Sequence, residues 1–312
     1  MKRTLVFVVA LVFAFNLVGC ADKPPTGTEP KALNFGVMPD VESIPFIIAE
    51  KNGYFENRGV KVNIIHFKSA QDRDSAMQSG QLDGMVTDVL AVVFANEGGF
   101  KQKMVARNDG NIQFLAGKNS GINSMQELKG RTVGLSTNTI MEYLADQMLA
   151  SSQMRPEDVS KVVIPPLPTR LEMLQGGKID ACILPDPLAG VAIKDGARIL
   201  NSTDKMGNKP GAVAFTEKCL NENPEAIRAI FHAYNDAVAY LKNEPQHSYV
   251  DFVIQSQGFP AAVKDSLALP QYANATKPDE QIVNQVVQWM KAKNLVKGNY
   301  QYNDLVDDAV LR

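Results

Sequence analysis

The chain has 312 residues, and its 32 Lys and Arg residues against 34 Asp and Glu residues give a formal net charge of −2 at pH 7. A chain of this length can form two medium-sized domains and bury a real core, so it does not depend on a disulfide framework. A balance this close to neutral carries no signal for nucleic-acid binding, and we expect no nucleic-acid partner.

The N-terminus has the pattern of an export signal. A positively charged start precedes the apolar stretch Thr4–Phe15, which is shorter than the ~20 residues that span a membrane. The tetrapeptide Leu17–Cys20 resembles a bacterial lipobox, so we predict a signal peptide at 1–19, lipidation of Cys20 and a Pro- and Thr-rich tether at 20–32. The expected location is the outside of the cytoplasmic membrane, or the periplasmic side of a membrane in a two-membrane cell.

Strands and helices alternate after the tether. Short apolar runs are separated by segments that begin with capping residues and end at glycine, which is typical of a parallel α/β sheet. The predicted elements are a strand at Leu33–Met38, a helix from Ser43 to Gly53, a strand at Val60–Phe67, a helix at Ser69–Ser79, a strand at Leu82–Val86 and a helix at Asp88–Glu97.

The same order recurs further along the chain. Arg73–Asp83 matches Arg170–Asp180 at an offset of 97 residues, with Arg, Gln, Gly and Asp in register. This repeat predicts two similar lobes that face each other across a ligand-binding cleft. The second set comprises a strand at Arg131–Leu135, a helix at Thr139–Ser151, a strand at Val162–Ile164, a helix at Thr169–Gln175, a strand at Ile179–Leu184 and a helix toward Lys194.

The rest of the chain is mostly helical. We predict that this tail returns to lobe one, which then comprises 33–115 plus 213–312, while lobe two comprises 116–212. The crossings, near Phe114–Lys118 and Gly211–Phe215, would form a two-segment hinge. The predicted tail helices are Pro224–Asn243, Ser248–Gln257, Ala261–Leu267 and Asp279–Lys293.

Candidate ligand-binding residues follow the ends of the predicted strands, because ligands of parallel sheets bind at the carboxyl ends of the strands, where helix N-termini also point. Ser136–Thr139 is the strongest candidate, since it supplies more polar groups than one helix cap uses. Capping alone is the alternative role of each of these polar residues. The predicted set is Met38, Asp40, Ser43, Ser69, Asp72, Thr87, Asp88, Ser136, Thr137, Asn138, Pro185 and Asp186.

The four carboxylates in this set bear on the ligand. Anion sites at helix starts usually avoid carboxylates, so the set favours a small nitrogen-containing or zwitterionic ligand with N–H or O–H donors. If the carboxylates only cap helices, a sulfonate or another small anion is the alternative. We expect Arg73 and Arg170 to be interlobe or surface charges.

Signals for catalysis are weak. The three histidines lack metal-ligand spacing, and Gly134–Asn138 lacks the final glycine of a nucleophile elbow. We therefore predict no catalytic residue, no metal and no cofactor. An enzyme on the same fold, with Ser136 in its cleft, is the alternative.

Several segments resemble the solute-binding proteins of ABC importers. Gly36–Asp40, Pro45–Glu56 and Leu184–Pro187 are similar to the branch that binds alkanesulfonates, nitrate, taurine and pyrimidine precursors of thiamine. The resemblance covers nearly all of the chain beyond the signal. It implies a type II periplasmic binding protein fold without catalysis. The related thiamine-pyrimidine synthases carry a cysteine-rich motif that this chain lacks.

The resemblance also implies the partners. We expect a monomeric receptor that captures a small polar solute between its lobes and delivers it to an ABC permease and its ATPase. A binding subunit that reports to a sensor is the alternative.

Overall fold

Two five-stranded mixed sheets, each covered by helices, make up residues 32–312, the part of the chain that the computed structural model describes. These residues belong to one compact unit. The predicted signal peptide, Cys20 and all but the last residue of the predicted tether lie outside the described residues. Within residues 32–312, no helix is both long enough and apolar enough to cross a membrane.

The two sheets have the same topology. In the first, the order is β2-β1-β3-β10-β4, and in the second it is β7-β6-β8-β5-β9. Three parallel strands are followed in each by one antiparallel strand, β10 or β5, and then by an edge strand. The strands are β1 Leu33–Val37, β2 Val62–His66, β3 Gly84–Asp88, β4 Gln102–Arg107, β5 Ile112–Ala116, β6 Thr132–Leu135, β7 Ser160–Val163, β8 Ala181–Pro185, β9 Arg198–Ser202 and β10 Gly211–Thr216.

Helices connect the parallel strands and form the tail. Their starts carry the expected side-chain caps at several places, including Ser69, Asp88 and Thr139. The helices are α1 Ile44–Lys51, α2 Tyr54–Asn57, α3 Ala70–Gln78, α4 Val89–Glu97, α5 Ile140–Ser151, α6 Leu167–Gln175, α7 Leu188–Lys194, α8 Thr203–Met206, α9 Glu217–Glu222, α10 Pro224–Asn243, α11 Val250–Gln257, α12 Glu280–Ala292 and α13 Tyr302–Leu305.

The internal repeat has a structural reason. The side chain of Asp83 accepts a hydrogen bond from the backbone N–H of Asn34 at 2.8 Å, and Asp180 accepts one from Thr132 at 2.9 Å. Each aspartate thus ties the start of the third strand of its sheet to the first strand. The predicted two-lobed α/β fold is confirmed.

The repeated arginines also have equivalent roles, which differ from the predicted one. Arg73 donates to the carbonyl of Val86 at 3.1 Å, and Arg170 donates to the carbonyl of Ile183 at 2.8 Å. Both side chains are buried and neither is a surface charge. The expectation that they are interlobe or surface charges was wrong, because each guanidinium satisfies backbone carbonyls inside its own lobe.

The chain crosses between the sheets earlier than the predicted lobe boundaries. β5 pairs with β8 and β9 in the second sheet, so the first crossing is residues 108–111, before the predicted boundary at 115. β10 pairs with β3 and β4 in the first sheet, so the second crossing is residues 203–210. We therefore propose 33–107 plus 211–312 as lobe one and 112–202 as lobe two.

The helical tail packs on lobe one. The Phe46 ring of α1 lies 4.9 Å from the Tyr234 ring of α10, and Phe231 of α10 contacts Phe215 of β10. The apolar stripe of α10 therefore covers the side of the first sheet that α1 also occupies.

Candidate functional site

A cavity lies between the two lobes, at the carboxyl ends of the parallel strands. Its volume is about 50 Å³. Small-molecule sites usually measure about 300–1,000 Å³, so we expect the lobes to move apart when a solute enters. Six of the predicted site residues line it: Met38, Asp40, Thr87, Asp88, Ser136 and Pro185.

Lobe one supplies the charged side of the cavity. Asp40 follows β1 and accepts hydrogen bonds from the backbone N–H and the hydroxyl of Ser43, at 3.0 and 2.6 Å. Asp88 ends β3 and caps α4 through the N–H of Ala91, at 3.0 Å. Burial raises the pKa of Asp40 to about 6, although the bonds from Ser43 oppose this shift. Burial also raises the pKa of Asp88 to about 6, against the lowering effect of Arg73.

A third carboxyl, Glu42, was not predicted. It is 8% exposed, and its Oε2 atom has no hydrogen-bond partner within residues 32–312. Burial, and then the neighbouring Asp40, raise the pKa of Glu42 well above its ordinary value. The hydroxyl of Thr87, also in the cavity wall, is another buried polar group without a partner in the described residues.

Among the described residues that line the cavity, Arg73 is the one cation, and it already has protein partners. Arg73 bonds Asp74 at 2.7 Å, the Val86 carbonyl at 3.1 Å, and lies 3.9 Å from Asp88. A guanidinium with these partners cannot offer its full set of donors to an anion.

Lobe two supplies a side of the cavity that carries no charge. Ser136 lies at the end of β6, and its hydroxyl accepts a hydrogen bond from Arg170 at 2.9 Å. The neighbouring wall is formed by Ile140, Met141 and Leu167. The carboxyls of lobe one therefore face a mostly apolar surface of lobe two.

Six predicted residues do not line this cavity. Ser43 and Ser69 serve as hydrogen-bond partners of nearby aspartates, and the exposed Asp72 bonds Ser69 at 2.7 Å. The backbone N–H of Asn138 donates to Glu142 at 2.8 Å. Helix capping and hydrogen bonds within the loops account for these polar groups, which is the alternative role considered for them in the sequence. The six are Ser43, Ser69, Asp72, Thr137, Asn138 and Asp186.

Asp186 faces a second, more open cavity beside the crossings. Its carboxylate accepts hydrogen bonds from Asn111 at 3.0 Å and Gln113 at 2.9 Å. Burial raises its pKa, although these two bonds lower it. Its backbone carbonyl accepts a hydrogen bond from Val41 of lobe one at 3.0 Å. Asp186 therefore joins the lobes through its main chain and not through a ligand-directed carboxylate.

The lobes also meet away from the cavity, where α12 of the tail lies against α5. Lys293 bonds Glu142 and Asp146 at 2.9 Å each, and the indole N–H of Trp289 donates to Asp146 at 3.2 Å. The Trp289 ring packs edge-on against Tyr143, with centroids 5.5 Å apart. We call these five residues the α5–α12 contact.

Residues 40–248 match the family model described as NMT1/THI5 like, and the chain belongs to this family. This match confirms the resemblance found in the sequence.

Two curated relatives are similar over most of their length. A putative ABC transporter periplasmic binding protein of Brachyspira hyodysenteriae is 24% identical over 266 residues, which cover 78% of this chain and 76% of the relative. The 4-amino-5-hydroxymethyl-2-methylpyrimidine phosphate synthase THI13 of Saccharomyces cerevisiae is 25% identical over 260 residues, covering 75% of this chain and 72% of that protein.

Solved structures share the fold. The alkanesulfonate-binding protein SsuA of Xanthomonas axonopodis, bound to MOPS, superimposes with a TM-score of 0.78 at 19% identity, covering 90% of this chain and 99% of that one.

Proposed function

We propose that this chain is the solute-binding protein of an ABC importer, which captures a small polar solute between its lobes and delivers it to a permease. The observation that carries this proposal is the interlobe cavity, in which strand ends of both sheets meet around buried polar groups. Family membership and the periplasmic binding protein relative support the same role. A solute held there favours the closed form because it contacts both lobes at once.

For the solute, we favour a nitrogen-containing or zwitterionic molecule. Asp40, Glu42 and Asp88 line the cavity, while Arg73 is committed to protein partners. The backbone N–H of Ser43 already donates to Asp40, and the N–H of Ala91 at the start of α4 donates to Asp88. An anion would otherwise use these donors. The alternative is a sulfonate or another small anion, which the name of the Xanthomonas structure favours.

We infer that the protein is not an enzyme. The hydroxyl of Ser136 accepts a hydrogen bond from Arg170, which holds the oxygen but cannot take its proton. Activation of a serine requires an adjacent base. The synthase THI13 among the relatives makes the enzyme alternative worth testing, and loss of turnover in Ser136→Ala would favour it.

We propose that the chain is exported and anchored as a monomer through a lipid on Cys20. The lipobox-like Leu17–Cys20 supports this anchor. Mass spectrometry of the purified protein should find two or more acyl chains on an N-terminal Cys20, and Cys20→Ser should release the protein from membranes. An unmodified Cys20 in a membrane-free protein would contradict the anchor while leaving the transport role open.

The transport role itself is tested by calorimetry against a metabolite panel together with small-angle scattering. A solute that binds with micromolar affinity and reduces the radius of gyration would support it. Absence of binding across the panel, with no closure, would count against it. A co-purified solute released on denaturation would identify the ligand directly.

A further inference from the structure

The cavity holds a buried acid that neither a helix cap nor an ion pair accounts for. Asp40 accepts hydrogen bonds from Ser43, and Asp88 caps α4, so both have a structural role. The Oε2 atom of Glu42 caps no helix and is buried without a hydrogen-bond partner within the described residues. An unsatisfied buried polar group destabilises the folded protein, so its presence in a cavity wall points to a ligand.

The position of Glu42 is set by the first crossing between the lobes. A Cβ atom added to Gly110 would lie 1.8 Å from the Oε1 atom of Glu42, so the acid lies directly against the crossing backbone. The charged groups around it are Asp40, Asp186 and Lys209, and Lys209 is paired with Asp204 at 2.6 Å. Arg73, the cation beside Asp88, also bonds Asp74, so the described cations near the three cavity carboxyls are already shared with other carboxylates.

On the basis of the proposed function, we propose that Glu42 and the Thr87 hydroxyl determine solute selectivity by binding a protonated nitrogen group. An ammonium or amidinium head would give its N–H donors to these two unsatisfied oxygens. The positive charge of the same head would offset the negative charge of the carboxyls of lobe one. An apolar tail on the solute would lie against Ile140, Met141 and Leu167 of lobe two. Burial and Asp40 raise the pKa of Glu42 and so favour its neutral form, and a bound cation would lower that pKa.

The first test uses three unbranched probes of four carbons each that differ in the charge of the head: n-butylamine, n-butanol and butyrate. Calorimetry or ligand-detected NMR at pH 7.5 should rank their affinities in that order, with butylamine at least ten times tighter than butyrate. Equal affinities, tighter binding of butyrate, or no butylamine binding at 20 mM would overturn the proposal. The proposed transport role would stand in all three cases if a panel solute still closes the lobes.

The second test separates a selectivity role from a structural one. Glu42→Met and Thr87→Val replace the unsatisfied groups by apolar groups of similar size, so each should raise the Tm of the ligand-free protein by about 2–4 °C. Both should weaken butylamine binding at least five-fold. A lower Tm would show that the groups serve the fold, and unchanged butylamine affinity would show that they do not contact the head.

Two further variants complete the test: one displaces the Glu42 carboxyl, and the other is a control. Gly110→Ala leaves the chemistry of Glu42 intact but displaces its carboxyl, so it should weaken butylamine binding as Glu42→Gln does. Glu56→Gln removes an exposed carboxyl of α2 in the same lobe and should bind like the wild type. Wild-type binding in Gly110→Ala and Glu42→Gln would overturn the assignment of Glu42.

Discussion

At the residue scale, the two buried arginines show how polar groups hold the ends of the strands. Arg170 is 0% exposed, and its donors satisfy the carbonyls of Ile164 and Ile183 and the hydroxyl of Ser136. Burial lowers its pKa to about 10, so it remains charged at neutral pH. Arg170 holds the cavity-lining Ser136 in place and does not itself line the cavity.

We predict that Arg170→Met lowers the free energy of unfolding by about 3 kcal/mol or more, because it leaves buried carbonyls unpaired. Urea unfolding of the purified protein measures this. Arg131→Ala, which removes a half-exposed guanidinium 3.6 Å from Asp180, should change stability by about 0.5 kcal/mol or less and is the control. Equal effects of the two substitutions would contradict the prediction.

Asp88 gives a second residue-scale prediction, this time for pH. Its pKa is raised to about 6 in the folded protein, so the folded state binds more protons than the unfolded state between about pH 4 and 6. Its contribution to stability therefore falls as pH rises through this window. Asn at position 88 keeps an oxygen to cap Ala91 but cannot ionise.

Asp88→Asn should therefore stabilise the ligand-free protein by about 1–2 kcal/mol at pH 7.5 and by much less at pH 4.5. Urea unfolding at both pH values measures the difference, and the exposed Asp72→Asn serves as control. A stability gain of the same size at both pH values would show that ionisation of Asp88 is not the cause.

Glu42 is a cavity residue that sequence patterns could not predict. Strand ends in the sequence located Asp40, Thr87 and Asp88 because the rule for parallel sheets depends only on local order. The burial of Glu42 depends on Gly110, which is distant in sequence and reaches it only through the crossing. No local pattern distinguishes this glutamate from a solvated loop residue.

At the element scale, the repeated elements were predicted well, including the edge strands β2 and β7, whereas the edge strands β4 and β9 were not predicted. The strands of the repeat lie inside their sheets or carry strong apolar patterns, and their helices have caps. β4 and β9 are the edge strands beside β10 and β5, and they contain exposed charged residues such as Arg107 and Arg198. An edge strand needs a weaker apolar pattern, because one side has no partner strand.

The α5–α12 contact gives an element-scale prediction, because it joins the tail of lobe one to lobe two. Burial opposes ionisation of Glu142, but hydrogen bonds from Lys161, Asn138 and Lys293 lower its pKa to about 2. Lys293→Met should remove one ammonium from this network and favour the open form. Because Trp289 is the single tryptophan of the chain, its emission should shift to the red as it leaves Tyr143.

Lys291→Met is the matched control for this experiment. It removes an ammonium from the same helix, but its partner Asn299 belongs to the same lobe. Emission spectra and the scattering radius of the ligand-free proteins should distinguish the two variants, and added salt should reproduce part of the Lys293 effect in the wild type. Identical spectra for both variants would show that the contact does not hold the lobes together.

At the scale of the whole molecule, we expect two electrostatic contributions to act on closure in opposite directions. The α5–α12 contact favours the closed form, and Glu142 stays ionised across the neutral range. The cavity opposes closure, because closing covers Asp40, Glu42 and Asp88 with the apolar wall of lobe two. Arg73 and Asp74, the other charges that face Asp88, already pair with each other.

The balance should depend on pH. Asp40 and Asp88 have pKa values of about 6 when buried, so the closed form binds more protons than an open form with hydrated carboxyls. Low pH therefore favours closure, and the closed population should fall as pH rises through about 6. Scattering of the ligand-free protein should show a larger radius of gyration at pH 8 than at pH 5.

Asp40→Asn combined with Asp88→Asn should weaken this pH dependence and leave the part that comes from Glu42, whose pKa burial also raises. A saturating cationic solute should do the same in the wild type, because its charge replaces the protons that closure otherwise requires. An anionic solute should close the lobes only at low pH. A radius that stays constant from pH 5 to 8 in the ligand-free wild type, or that shrinks as pH rises, would show that the cavity carboxyls do not control closure.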